Sequence, residues 1–358
     1  MSPPSSSPSS WTLGPATTPF PLFALRMKLV SQPQAPPTLN LTGQTGIITG
    51  ASSGLGYTAV DTLLKYNLSH IIITVRTESK GTEAAAKLRK LHPRAKIEVW
   101  MLDLLSYESI QSFVARCRDE LARIDCVVIS AAAGYPKFER DVHTGHELTF
   151  QVNYLSIALL ALLLLPVLRE KKVEGAQAAN GKPGRITIIG SGMALTSKLL
   201  ESQATDSSLF SALDNPTYFD FLGRYATTKL LLCMFLKKLA EHISPDDVIV
   251  NVVDPGLVKT TGQERSGSWA FRIQFGILRT VIGRSLSAGS WTYVDAAVVK
   301  GKESHGSWIC NFKVYPFPAV MYTERGKRAT EMLWEETLAD LDFAGARGIL
   351  ASMASAPS

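Results

Sequence analysis

The sequence predicts an α/β fold: a single Rossmann-type doubly wound parallel sheet with helices on both faces. Two observations carry this. Six short runs are apolar throughout rather than alternately apolar and polar, the pattern of strands covered on both sides. Between them lie stretches with helical spacing of apolar residues, which makes repeated βαβ units. A glycine-rich turn directly after the first run adds a third. In such sheets ligands bind beyond the carboxyl ends of the strands.

The elements follow in order. "TGIITG" (45–50) is a strand ending in glycine, and "LGYTAVDTLLKYN" is a helix with Leu55, Ala59, Leu63 and Leu64 on one face. "HIIITVR" (70–76) is the second strand, and "EAAAKLRKL" (83–91) consists of strong helix formers. "KIEVWMLDL" (96–104) is the third strand and "SYESIQSFVARCRDELAR" the helix after it. "DCVVISAAA" (125–133) is the fourth, followed by a helix around 145–170. "GRITIIGS" (184–191) is the fifth, then an insertion and a helix that contains Tyr225. "DVIVNVVDPG" (247–256) is the sixth.

Composition bounds the function. The chain has 358 residues, 46% hydrophobic and 19% charged, enough for one large domain or at most two. Its formal charge of +6 is scattered, without the dense basic block of nucleic-acid tails, so no nucleic-acid partner is expected. Cys117, Cys126, Cys233 and Cys310 lack metal-ligand spacing and sit among apolar residues. They read as reduced core thiols, with no metal site and a cytoplasmic location. The longest apolar run, "IALLALLLLPVL" (157–168), falls short of the ~20 residues that cross a bilayer, so no transmembrane span is expected. Residues 1–39, rich in Ser and Pro, read as a disordered segment, with an internal start at Met27 conceivable from the sequence. Residues 346–358 read as a flexible tail.

The first strand end carries "TGASSGLG" (49–56), with Gly50, Gly54 and Gly56 around Ser52, Ser53 and Leu55. Glycines allow the turn and the approach of a pyrophosphate, and the helix start offers free N–H groups. A ligand-free glycine turn is the plain alternative. The second strand ends at Arg76, with no acid before Glu78. A carboxylate there would suit a ribose 2′-hydroxyl; an arginine suits a 2′-phosphate, so NADP(H) is the expected cofactor. Ser52 can add a hydroxyl contact, and Asp103, at the third strand end, can accept from the adenine amine. Ordinary surface or turn roles are the alternatives for both Arg76 and Asp103. In "RYATTKLLLCMF" (224–235), Tyr225 and Lys229 lie one helical turn apart on one face. A buried lysine needs a partner; an edge tyrosine with a snorkelling lysine is the plain reading.

In order, "TGASSGLG", "LDL" (102–104), "VNYLS" (152–156), "IIGSG" (188–192), "YATTK" (225–229) and "DPGLVKT" (254–260) together resemble the short-chain dehydrogenase/reductase family over roughly residues 41–340. "HELTFQVNYLSIALLALLLLP" and "ESHGSW…LWEET" are similar to fungal members that resemble retinol dehydrogenases and act in secondary metabolism. The resemblance implies a catalytic domain over 40–345 that interconverts a ketone and a secondary alcohol. In it Tyr225 exchanges the proton, Lys229 lowers the phenol pKa and holds the nicotinamide ribose, Ser191 orients the substrate and Asn153 assists a proton relay. Pro255, Gly256, Val258 and Thr260 would hold the nicotinamide carboxamide.

Two departures stand out. Ala131 occupies the place of the family's usual asparagine after the fourth strand, and 34 positions separate Ser191 from Tyr225. The 192–224 insertion is expected to cover the substrate pocket and to favour a monomer over a homodimer. Residues 257–289, with Trp269, Phe271, Phe275, Ile277 and Leu278 among Arg272, Arg279 and Arg284, read as a lid over a hydrophobic small molecule. A membrane-surface helix or a plain packed helix are the other readings of that stretch. Rival functions are a non-catalytic NADP-sensing protein, a retinol- or steroid-type dehydrogenase and, against the missing sugar-nucleotide motifs, an epimerase.

Overall fold

The computed structural model describes residues 8–29, 36, 38–171, 183–201, 207–259 and 283–354. Eight strands form one sheet: β1 (Thr45–Thr49), β2 (His70–Val75), β3 (Lys96–Met101), β4 (Cys126–Ile129), β5 (Gly184–Ile189), β6 (Val248–Asp254), β7 (Ser307–Cys310) and β8 (Lys313–Tyr315). Their order is β3-β2-β1-β4-β5-β6-β7-β8. All neighbours run parallel except the β7–β8 hairpin. The order reverses between β1 and β4, so the loops leaving these two strands part and open a crevice.

The inner strands β1, β4, β5 and β6 are buried along their whole length because both faces are covered, whereas the edge strand β3 leaves Lys96 and Met101 exposed. Ile47 points into one core and Ile48, one residue on, into the other. In register, Ile47 lies between Ile72 and Val127. One core holds α4 (Tyr107–Glu120) and the long helix beside it; the other holds α2 (Gly54–Lys65) and α3 (Glu78–Leu91). The long helix begins as α5 (Leu148–Phe150), passes through a π-helical turn at Gln151–Leu155, and continues as α6 (Ser156–Glu170). Its 23 residues are long and apolar enough to cross a membrane, yet 89% of its most apolar window is buried inside the fold. Burial of each large aliphatic side chain contributes about 1.5–3 kcal/mol. The four cysteines are free and buried. Burial pushes the Cys117 and Cys126 thiols up to about 12.

Two expectations change, and one element is new. Residues 8–29 of the stretch read as disordered pack on the sheet: α1 (Phe20–Leu29) buries Phe23, Ala24 and Met27, and Ser10 is fully buried. Composition misses this because the face made by the partly buried Phe20 and the buried Phe23, Ala24 and Met27 is short and is blurred by the exposed Leu22, Leu25 and Leu29 around it. Of the stretch read as a tail, Ala346–Met353 forms a helix that buries Ala346, Leu350 and Met353. Its apolar residues recur at the i, i+4, i+7 spacing of a one-faced helix. The β7–β8 hairpin was not foreseen. It is too short to display a period, and its turn places Asn311 and Phe312 at positive φ (50° and 64°), where a phenylalanine is a poor signal.

Candidate active site

The glycine loop is built for close approach. Gly50 has φ +66°, and a Cβ there would lie 2.9 Å from the Cα of Ala131, so only glycine lets β1 and the β4 loop come together. A Cβ on Gly56 would meet the Gly50 carbonyl oxygen at 2.8 Å; its absence seats α2 on the strand. Gly54 differs. It too needs positive φ (+63°), but a Cβ there would meet nothing within 4 Å, so the missing side chain opens space rather than tightening packing. Ser53 precedes α2 without any side-chain cap, so it supplies no acceptor to the N–H groups of the first turn. Leu55 turns inward, 2.9 Å from where a Cβ of Gly289 would stand, beside Val258 at 2.6 Å. An anionic ligand fits this combination.

A cleft of about 340 Å³ continues from the loop. Gly50, Ser52, Arg76, Asp103, Ala131 and Tyr135 are among its walls, with Lys80 at the rim. Arg76, in the bend after β2, and Lys80, in the first turn of α3, are exposed cations four positions apart. The Arg76 guanidinium donates to the Tyr135 hydroxyl; burial raises the pKa of that phenol, and Arg76 pulls against the rise. Asp103 accepts the N–H of Leu105 at 3.0 Å. Motif reasoning missed Lys80 and Tyr135. The signals were available: a lysine four residues after Arg76, and an aromatic residue directly after "AAAG".

Ala131 keeps its strand tied without the missing asparagine. The Thr49 hydroxyl oxygen accepts the N–H groups of both Ser130 (2.9 Å) and Ala131 (3.0 Å). The amide of Asn153 also braces this loop: it accepts from Ala133 N–H at 2.8 Å and donates to the Ala133 carbonyl at 2.7 Å. Asn153 itself lies fully buried in the π-helical turn.

Beyond the tips of β5 and β6, a second group assembles. Tyr225 and Lys229 belong to α8 (Phe221–Ala240) once the short α7 (Leu209–Leu213) is counted. Asp220 caps α8 by accepting from Gly223 N–H. Lys229 is 2% exposed, and its Nζ donates to the Ile189 carbonyl at 2.8 Å and stands 5.6 Å from the centre of the Tyr225 ring. Burial draws its pKa down to about 8, against the pull of the Cys233 thiol and the Asp254 carboxylate. Below that value it is an ammonium. The tyrosine itself is half-buried. Ser191 follows β5 by two residues; its Oγ accepts from Met193 N–H at 3.2 Å, which leaves its O–H able to donate. The serine turn is pinned to α8 by the hydroxyl pair Ser197–Thr227 at 3.1 Å.

The turn after β6 completes the wall. Pro255 is buried, and Gly256 has φ +71°. Asp254 accepts Gly256 N–H at 3.0 Å. Burial raises its pKa, opposed by the N–H groups of Gly256 and Gly192 and by Arg284 and Lys229. Val258 bridges to Arg284. Thr260 and most of the expected lid, including Trp269, Phe271, Arg272, Phe275, Ile277, Leu278 and Arg279, lie outside the described residues.

Within the insertion, the described residues dock on the C-terminal part of the chain. Glu336 accepts from the N–H groups of Leu209 and Phe210 at 3.2 and 2.9 Å. His146 is sandwiched between Asp214 (2.7 Å) and Asp340 (2.9 Å). Burial works against its charge, yet the two carboxylates lift its pKa to about 9. Arg224 pairs with the buried Glu147 at 3.5 Å.

Comparisons with known proteins agree with this layout. The profile described as "short chain dehydrogenase" matches residues 44–200. The short chain dehydrogenase/reductase mfmJ of Annulohypoxylon moriforme is 44% identical over 347 residues, covering 96% of this chain and 98% of that protein. The short chain dehydrogenase virL of Hypocrea virens is 37% identical over 89% of this chain and 92% of its own. Among solved structures, L-sorbose reductase from Gluconobacter frateurii, complexed with NADPH and L-sorbose, superposes with a TM-score of 0.56 at 19% identity. That match covers 80% of this chain and 99% of the reductase. Salutaridine reductase from Papaver somniferum gives 0.54 at 18% identity, over 74% of this chain and 99% of its own.

Proposed function

The chain belongs to the short-chain dehydrogenase family of oxidoreductases, and from that premise we propose that it is an NADP(H)-dependent enzyme interconverting a ketone and a secondary alcohol on a hydrophobic small molecule of secondary metabolism. One observation carries the chemistry. A fully buried lysine is aimed at the carbonyl of Ile189 beside Tyr225, on the face where the strand tips open. Burying an ammonium is costly, so a chain that keeps one there gains from its charge.

A phenol has a reference pKa of about 10, too high to lose its proton readily at neutral pH. The Lys229 cation favours the phenolate of Tyr225, with each unit of downward shift worth about 1.4 kcal/mol. Tyr225 then gives its proton to a substrate oxygen in reduction, or takes one in oxidation. The O–H of Ser191 is placed to donate to the same oxygen and orient it. The side-chain amide of Asn153 braces Ala133 through its oxygen and one N–H, so we assign its part in a relay to the main chain of its π-helical turn. The first-turn N–H groups of α2 would hold a pyrophosphate, and Arg76 with Lys80 a 2′-phosphate. When bound, NADPH supplies the hydride; the protein supplies position and proton.

Tyr225→Phe is the direct test. Followed by consumption of NADPH with a panel of bulky ketones, turnover falls by about 10²–10⁴, the range of general acid–base catalysis, while NADPH binds as before. A wild-type protein that binds NADPH and reduces no carbonyl would instead mark a cofactor sensor.

A further inference from the structure

We propose that the N-terminal arm, residues 8–29, is a working wall of the reaction site that positions the Ser191 turn and the Pro255–Gly256 turn. This rests on the reading that those turns serve catalysis. The arm is anchored first to the far edge of the sheet. Ser10 exchanges hydrogen bonds with β7: its N–H donates to Ser307 Oγ at 3.3 Å, and its Oγ accepts from Trp308 N–H at 2.7 Å. The Trp11 ring stacks on Tyr322 at 4.4 Å, and the Tyr322 hydroxyl donates to the Ser10 carbonyl at 2.9 Å. Ala16 N–H donates to the Phe317 carbonyl at 2.9 Å.

From those anchors α1 runs back to the strand tips. The Phe23 ring lies 5.3 Å from Tyr315 and 6.2 Å from Trp308, and its Cε1 comes within 2.4 Å of where a Cβ on Gly192 would be. Gly192 is the residue after Ser191, so the phenylalanine edge is what the serine turn rests on. One helical turn further, Met27 is 1% exposed, and its Cε stands 3.5 Å from where a Cβ on Gly256 would be. The Met27 carbonyl accepts from Arg284 Nε, and the same guanidinium donates to Asn311 Oδ1. Arg284 grips the Pro–Gly turn through its main chain: its N–H donates to Leu257 at 2.7 Å, and its carbonyl accepts from Lys259 at 3.0 Å. Asp254 completes the bracket, with its carboxylate between the Gly256 and Gly192 N–H groups and the Arg284 charge. The arm therefore abuts both turns. Among the described residues it contributes nothing to the cleft lined by Arg76 and Asp103. An arm with this layout acts on the reacting end of the site and leaves the phosphate-binding cleft alone.

The test uses the full chain carrying Phe23→Ala, with Phe23→Leu as a milder change and Leu350→Ala as a destabilising control in the last helix. Misplacement of reacting groups by about 1 Å costs up to about 10²-fold. Phe23→Ala is expected to lower kcat/KM about tenfold or more, chiefly in kcat, and Phe23→Leu about threefold. NADPH affinity stays within about threefold in both, since the phosphate contacts are untouched. Hydrogen exchange of the cofactor-free protein gives a readout independent of turnover: the amides of Gly192, Met193 and Gly256 exchange faster in the Phe23 variants and not in Leu350→Ala. If Phe23→Ala does not fold, Phe23→Leu decides by the same measures. The proposal is overturned if the Phe23 variants and Leu350→Ala change kcat/KM alike, or if exchange at those amides matches wild type. A wild type without carbonyl turnover would remove the catalytic reading, and the exchange result would still decide whether the arm sets the two turns.

Discussion

The two halves of the crevice are made differently. On the nucleotide side, the groups lie within short stretches: Gly50 to Gly56 on one loop, Arg76 and Lys80 four positions apart across the start of α3, Asp103 on the next strand end. Local backbone geometry places them. On the proposed reaction side, the Ser191 turn and the Pro255–Gly256 turn beside Tyr225 and Lys229 are held by residues remote in the chain, including Phe23, Met27, Arg284 and Asn311. A site of the first kind is a property of a loop and survives changes elsewhere. A site of the second kind is a property of the whole fold, and distant substitutions reach it.

Substitutions on each side sharpen that contrast. The largest effect is expected for Lys229→Met, which keeps the stem and removes the charge beside Tyr225. Steady-state kinetics should show kcat reduced by about 10²–10³, with thermal melting ruling out loss of the fold. A variant that retained wild-type kcat would detach the buried lysine from the proton step. Next comes Arg76→Gln. A hydrogen bond to a charged group contributes about 1.5–3 kcal/mol, so NADPH should bind about 10–100-fold more weakly while NADH binding and kcat hardly move. Titration calorimetry with both cofactors measures this, and equal losses for NADPH and NADH would break the assignment.

The smallest effect belongs to His146, which joins Asp214 of the insertion to Asp340 at the end of the helix Glu324–Asp340. Its folded pKa of about 9 lies above the unfolded value near 6.5, so the protonated ring stabilises the native state. That contribution is complete below about pH 6.5 and is lost as pH rises through about 9. Allowing for solvent screening, it amounts to about 1–2 kcal/mol. Denaturation of wild type and His146→Gln across this window should converge at high pH. Curves that remain parallel would show that the ring is neutral in the native protein.

Legibility followed the same division. The alternation of apolar strands with helices carried the first six strands, because continuous runs such as Ile71–Ile73 announce burial on both faces. The glycine loop was readable because each glycine has a local steric reason. The arm was not. Ser10 and Trp11 belong to no helix, the face made by Phe23 and Met27 is masked by the exposed Leu22, Leu25 and Leu29, and the Ser/Pro-rich surroundings carry the composition of a disordered chain. Arg284 read as one cation among several in a loop, yet it is 5% exposed. Its partners, Met27 and Asn311, are 257 and 27 positions away, beyond the reach of any local pattern.

The arm also bears on how the molecule is made. Ser10 leaves the ribosome long before its partners Ser307 and Tyr322, which lie 297 and 312 positions later. Chain segments whose contacts are so remote can settle only after almost everything else has been translated, and such late closures are slow. The nucleotide loop can take shape once four strands exist, whereas the serine and Pro–Gly turns wait for the last. Nascent polypeptide would thus acquire a home for its nucleotide well before it could perform chemistry.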